Sequence, residues 1–322
     1  MTSPMSTSAT GPTLTTPTRP LTPPRRHLLK AGAVVSAAAL TPLLTTSSAR
    51  AARPGARLRD AEGRLSDLEE RYGARLGVYA VNTRTGQYVA HRADEPYAMC
   101  STFKTLAAAA VLRDHAHCVP LDRVIAYPPA DLLPNSPRTE QHVGTGMKAG
   151  DVCAAAIQYS DNTAGNLLLR QIGGPAGLTA FLRSIGDRVT RLDRWETDLN
   201  TAVPGDPRDT TTPAALGRSY ARVTLGDALP SAAREQLVTW LKGNTTSGER
   251  FRAGLPQGWT VADKTGTGAY ANAHDVGIAW TTKGTPLVLT VLTSKPAPDA
   301  PVDNALIAET ARLLARVLAP GE

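Results

Sequence analysis

A hydroxyl and an amine three residues apart, Ser101 and Lys104, stand at the head of the apolar run Thr105–Leu112. Residues at that spacing share a helix face, so Lys104 Nζ can reach Ser101 Oγ. A serine needs such a basic neighbour to act as a nucleophile at neutral pH. Free backbone N–H groups at a helix start also favour developing negative charge. Two other stretches carry compatible groups. Ser160-Asp161-Asn162 lies between two helical patterns, where it is either a turn presenting side chains or a plain helix cap. Lys264-Thr265-Gly266, continuing into Thr267 and Gly268, sets an amine and hydroxyls beside glycines that let a ligand approach backbone at a strand end. By itself it also reads as a turn with a surface lysine.

The elements that must position these groups follow from periodicity. Arg57–Tyr72 has helical spacing of Leu58, Leu65 and Leu68. Leu76–Val81 and Tyr88–His91 read as a hairpin around Arg84-Thr85-Gly86-Gln87. Helices are predicted over Asp151–Ile157, Thr163–Ile172 and Pro175–Ile185. Another starts at Thr212-Pro213, where a capping Thr precedes Pro at the first helical position. Strands are predicted over Thr260–Lys264, His274–Thr281 and Pro286–Thr293, then a terminal helix over Asp303–Val317. Strands at both ends around a helical insert predict an α+β fold in two lobes and three layers, α/β/α. Its five-stranded antiparallel sheet is assembled from both termini with flanking helices. The α/β lobe takes about 52–92 and 240–322, the helical lobe about 93–239, and the cleft between them is the expected site.

Composition narrows the partners. The 322 residues are 42% hydrophobic and 20% charged, as in a soluble globular protein. Five of the basic residues, Arg19, Arg25, Arg26, Lys30 and Arg50, fall in residues 1–51, which hold no acid; without them the net charge of +7 becomes +2. No basic field remains to steer a nucleic acid. The leader has a Thr/Pro/Ser-rich start, then Arg25-Arg26 and the apolar run Ala31–Leu44, which is too short to span a bilayer. With Ala49-Arg50-Ala51 as a small-x-small cleavage site, residues 1–51 read as a removable export signal of twin-arginine type. The expected product, 52–322, is secreted, free of membrane and monomeric. Cys100, Cys118 and Cys153 form no disulfide framework and no metal set. Cys100 reads as a small packing group, and a Cys118–Cys153 pairing stays open. No metal or organic cofactor is expected.

Together and in this order, Ser101-x-x-Lys104, Ser160-Asp161-Asn162 and Lys264-Thr265-Gly266 form the signature of class A β-lactamases and penicillin-binding proteins. The chain resembles the penicillin-recognising serine enzymes. Arg194-Trp195-Glu196-Thr197-Asp198-Leu199-Asn200 is similar to the Ω loop of class A β-lactamases, here about 191–209, and Arg208-Asp209-Thr210-Thr211-Thr212-Pro213 to the segment that closes it. The likeness extends over Ser160-Asp161-Asn162-Thr163-Ala164-x-Asn166-Leu167 and essentially the whole exported chain.

The resemblance implies hydrolysis of the β-lactam amide through a Ser101 acyl-enzyme, and with it β-lactam resistance. Lys104 and Glu196 are alternative bases for acylation. Ser160 would relay a proton to the leaving nitrogen, and Glu196 would activate the deacylating water held by Asn200. The backbone of Ser101 and Thr267 would form the oxyanion hole. Asn162 would bind the substrate side-chain amide, while Lys264, Thr265, Gly266 and Thr267 would hold its carboxylate. Arg194 and Asp209 would pair at the loop neck. The strand after Lys264-Thr265-Gly266 lacks the arginine many members use for the carboxylate, so that role falls to Arg252.

Three departures stand out. Thr197 replaces a proline that often follows a cis bond, Asn135 an aromatic at the cleft rim, and Gly268 a cysteine that some carbapenem-hydrolysing members bond to the Cys100 position. The competing readings are a D,D-peptidase or penicillin-binding protein with slow turnover, a non-catalytic penicillin sensor, and a Ser-His-Asp hydrolase using His274 or His142. The Glu196–Asn200 loop argues against the first, since only efficient deacylation needs a placed base and water; the second is commonly tied to a membrane, and no spanning helix is expected in 52–322. The third lacks a Gly-x-Ser-x-Gly around Ser101.

Overall fold

A computed structural model describes residues 54–322, with side chains from Arg57. The expected leader, 1–51, lies outside the described residues. The chain opens with helix α1 (Pro54–Tyr72), then the hairpin β1 (Arg75–Asn82) and β2 (Tyr88–His91). The helical block holds α2 (Phe103–Asp114), α3 (Ala149–Gln158), α4 (Asn162–Gln171), α5 (Gly174–Ser184), α6 (Pro213–Thr224) and α7 (Ser231–Lys242). A single helical turn, Phe251–Gly254, leads to β3 (Thr260–Gly268), β4 (Asn272–Trp280) and β5 (Pro286–Ser294). Helix α8 (Asn304–Leu318) closes the chain.

The sheet is antiparallel, ordered β2-β1-β5-β4-β3. The N-terminal hairpin joins the C-terminal strands where β1 pairs with β5, Val78 opposite Val291. That pairing closes the sheet from both chain ends and leaves β3 as an edge. β4 is buried along nearly its whole length, the pattern of a sheet covered on both faces. One apolar core lies between the sheet and α1 and α8, through Leu65, Leu76, Leu306 and Leu314. A second fills the helical lobe around α2, where every residue from Phe103 to Leu112 is buried. A helix apolar all round must be central, and its four successive alanines let neighbouring helices come close.

Two details depart from the sequence expectations. Ser101 is not on the helix itself. It sits in a 3-10 turn, Cys100–Thr102, that feeds α2, with Cys100 in the left-handed region at φ 44°. β3 runs on through Thr265 to Gly268 because its partner continues to pair with it, Thr267 opposite Ala273 and Gly268 opposite Asn272. Lys264-Thr265-Gly266 therefore lies within the edge strand and not at its end. All three cysteines are free, so the Cys118–Cys153 pairing left open by the sequence is not made.

Candidate active site

The edge strand β3 packs against the Cys100–Thr102 turn. Gly266 permits this: a Cβ there would lie 3.2 Å from both Cys100 Cβ and the Met99 carbonyl oxygen. Ser101 is thereby held at the seam between the sheet and the helical lobe, 6% exposed. From the second residue of α2, Lys104 Nζ donates to Ser101 Oγ at 2.9 Å, to the Ser160 carbonyl at 2.8 Å and to Asn162 Oδ1 at 2.7 Å. Gly165 on α4 leaves the room for this lysine, since a Cβ there would meet its Cε at 2.8 Å. Ser160 itself has φ 56°, which turns its side chain toward β3. There Lys264 Nζ donates to Ser160 Oγ at 3.0 Å and to the Thr265 carbonyl at 2.7 Å. Burial, and after it the charge of Lys104, holds the Lys264 ammonium well below the usual lysine range.

Asp161 organises the Ser160 loop from beneath. It caps α4 by accepting from Ala164 N at 2.8 Å and also accepts from Thr139 N and Arg138 N. Asn162 Nδ2 donates to the Pro134 carbonyl at 2.9 Å, which ties the cleft rim at Asn135 to the same loop.

Glu196 enters from the opposite side. Ser101 Oγ donates to Glu196 Oε1 at 3.2 Å, and Lys104 Nζ lies 2.9 Å from the same oxygen. Asn200 Nδ2 donates to Glu196 Oε2 at 2.5 Å. Asn200 Oδ1 is buried and has no partner among the described residues. The loop is closed at its neck by Asp209, which accepts from Asp193 N at 2.7 Å, Arg194 N at 2.8 Å and Arg194 Nε at 2.6 Å. At its centre, Asn166 of α4 grips the Glu196 backbone twice: its Nδ2 donates to the Glu196 carbonyl and its Oδ1 accepts from Glu196 N, both at 2.9 Å. The Glu196–Thr197 peptide is cis, with threonine in place of proline.

Arg252 requires a correction. Its guanidinium turns away from Thr267 and donates to Asp263 Oδ1 at 2.9 Å, Ser247 Oγ at 2.8 Å and the Val261 carbonyl at 3.2 Å. The arginine against β3 is Arg250. It donates to Thr267 Oγ1 at 2.9 Å, the Gly266 carbonyl at 2.9 Å and the His274 carbonyl at 2.7 Å. The helical turn Phe251–Gly254 begins between the two arginines, so their side chains leave in different directions. Nothing in the run Glu249–Arg252 distinguishes them, because both are arginines beside an apolar residue. Thr246 carries no motif in the sequence, yet its hydroxyl lies 2.5 Å from that of Thr265. Asn166 was visible only as part of the Ser160–Leu167 likeness.

Neither histidine is placed to serve Ser101. His274 Nδ1 accepts from Thr293 N at 3.3 Å inside the sheet, and burial pushes its pKa down to about 3, so it is neutral. His142 belongs to a 3-10 turn, Thr139–His142, of the helical lobe.

A two-lobe fold with paired serine and lysine groups at the seam defines the class of penicillin-recognising serine enzymes. Residues 60–318 match the model of the beta-lactamase enzyme family. The chain is 54% identical to Beta-lactamase AST-1 of Nocardia asteroides over 80% of this chain and 84% of that one. It is 48% identical to a β-lactamase of Streptomyces albus G over 92% and 98% of the two chains. A solved structure of a Streptomyces albus G β-lactamase superposes with TM-score 0.79 at 52% identity, covering 81% of this chain and 100% of that one. A β-lactamase structure from Desulfarculus baarsii gives TM-score 0.80 at 49% identity over 82% and 99%. The chain belongs to the class A β-lactamases, which are serine hydrolases.

Proposed function

We propose that this enzyme opens the β-lactam amide through an ester on Ser101, that Glu196 activates the water which clears the ester, and that the outcome is β-lactam resistance. The observation that carries the reading is the placement of Glu196: one oxygen within 3.2 Å of Ser101 Oγ, the other held by Asn200 at 2.5 Å. A carboxylate that reaches both the nucleophile and a buried polar neighbour can serve a water between them. The orphaned Asn200 Oδ1 supports that water, since buried polar atoms seek a partner.

In acylation, Lys104 and Glu196 share contact with Ser101 Oγ, and either can take its proton. The backbone N–H groups of Ser101 and Thr267 receive the oxyanion, each such donor contributing about 3–4 kcal/mol to the transition state. Ser160 passes a proton to the leaving nitrogen, with Lys264 at 3.0 Å to offset the charge that forms. Lys264, Thr265 and Thr267, backed by Arg250, receive the substrate carboxylate along the Gly266 edge. Asn162 takes the side-chain amide. The Arg194–Asp209 pair keeps the loop closed. Export by the twin-arginine route, on the strength of the leader sequence, completes the proposal, with a monomer as the default state.

Turnover of a chromogenic cephalosporin, with mass spectrometry of Glu196→Ala, tests this. Many turnovers by wild type and a Ser101 ester trapped in the variant are expected. A single stoichiometric burst by wild type would instead indicate a D,D-peptidase or sensor.

A further inference from the structure

Trp195 immediately precedes Glu196 and is 39% exposed. Most of this large side chain is therefore covered, and its far ring edge has a definite seat. It rests on Gly174, the first residue of α5. A Cβ at Gly174 would lie 3.2 Å from Trp195 Cζ2 and 3.5 Å from Cη2, and no other atom within 4 Å is as near. The ring is seated on bare backbone that only glycine offers.

The same helix pair thus holds the Trp195–Glu196 dipeptide twice. Asn166 of α4 bonds the N and O of Glu196. The first residue of α5 supports the ring of the preceding residue. Asn166 fixes the backbone of Glu196 itself, while the ring braces the residue before it, whose carbonyl also accepts from Leu199 N at 3.1 Å.

We propose that the Trp195 indole seated on Gly174 is a positioning clamp for Glu196, so that this contact sets the deacylation rate and leaves acylation nearly untouched. The inference rests on the reading of Glu196 as the deacylating base. A displacement of about 1 Å at a reacting group can cost on the order of 10²-fold in rate; the few tenths of an ångström that a methyl group at Gly174 demands would cost about three- to tenfold.

The fold supplies its own control. Gly173 is also left-handed, at φ 87° against 76° for Gly174. A Cβ on Gly173 meets only Gly177 Cα, at 3.9 Å. Gly173→Ala therefore carries the same kind of backbone strain without touching Trp195. Pre-steady-state cephalosporin hydrolysis would be followed for Gly173→Ala, Gly174→Ala, Trp195→Ala and Trp195→Phe, with accumulated Ser101 ester read by mass spectrometry. Deacylation is expected to fall about three- to tenfold more in Gly174→Ala than in Gly173→Ala, and about tenfold in Trp195→Ala. Acylation should stay within twofold, and Trp195→Phe, whose ring lacks the Cζ2 and Cη2 atoms that meet Gly174, should lose nearly as much as Trp195→Ala. Equal deacylation rates in the two glycine variants, or equal losses in both steps for Trp195→Ala, would overturn the clamp. A Glu196→Ala enzyme that still turned over at the wild-type rate would overturn the base assignment instead, so the two failures are distinguishable.

Discussion

Lys104 Nζ stands 2.9 Å from Glu196 Oε1, with both side chains fully shut off from solvent. Removing one member of such a buried pair strands the other charge, which typically costs about 3–5 kcal/mol. Lys104→Ala should therefore lower stability by that order in chemical denaturation and slow acylation by at least about 10²-fold. Replacing both partners with apolar groups, as in Lys104→Met with Glu196→Leu, should restore most of the stability and none of the activity. A Lys104→Ala enzyme as stable as wild type would show that the pair is not closed to water.

The two arginines around Phe251 should separate binding from stability. Arg250→Ala removes the donor to Thr267 Oγ1, and KM for penicillins is expected to rise at least tenfold, the loss of about 1.4 kcal/mol or more. Arg252→Ala instead deprives buried Asp263 of its ion pair. It should lower Tm by several degrees while KM stays within about twofold. The opposite pattern, read by steady-state kinetics and thermal melts, would return the carboxylate role to Arg252.

His274 is expected to make the protein acid-sensitive. Its folded pKa of about 3 lies below the ordinary histidine value of 6.5, so the unfolded chain takes a proton that the folded chain refuses. The stability it permits is fully present above pH 6.5 and falls as pH drops from 6.5 toward 3, by about 4 kcal/mol at the lower end. His274→Gln should flatten the fall between pH 6.5 and 4 in urea titrations, whatever its effect at pH 7. An unchanged slope would mean that other groups govern acid unfolding.

Gly268 faces the buried thiol of Cys100: a Cβ there would lie 2.8 Å from Sγ. A Gly268→Cys chain should therefore close a disulfide on oxidation, visible as the loss of two titratable thiols and of 2 Da. A bridge over so long a loop stabilises by up to about 4–5 kcal/mol before native-state strain is subtracted. Retention of both thiols under oxidant would show that the Asn200 carbonyl, 2.9 Å from the same Cβ position, keeps the side chain out.

Legibility differed by the range of the interaction. Ser101 and Lys104 could be paired from spacing alone, because three residues on a helical path fix their proximity. Ser160 and Lys264 could be named from their motifs, although 104 residues separate them and no local pattern says that Nζ and Oγ meet at 3.0 Å. The exchange of Arg252 for Arg250 shows the limit. The two differ only in the direction in which a short turn sends its side chains, and that direction depends on Asp263 and Thr267 being nearby. The Trp195–Gly174 contact was equally invisible, since a glycine before a helix reads first as a turn.

The sequence by itself determined the α+β class, the helix and strand order, and the residue types competent for acyl transfer, because periodicity, caps and motif spacing act over a few residues. Only the tertiary structure decided that β3 is an edge continuing through Gly268, which arginine backs it, and how Glu196 is held. Those depend on β1 pairing with β5 and on α4 meeting the loop. Such contacts join residues far apart in the chain, and their geometry is settled by packing and by the need of each buried charge for a partner.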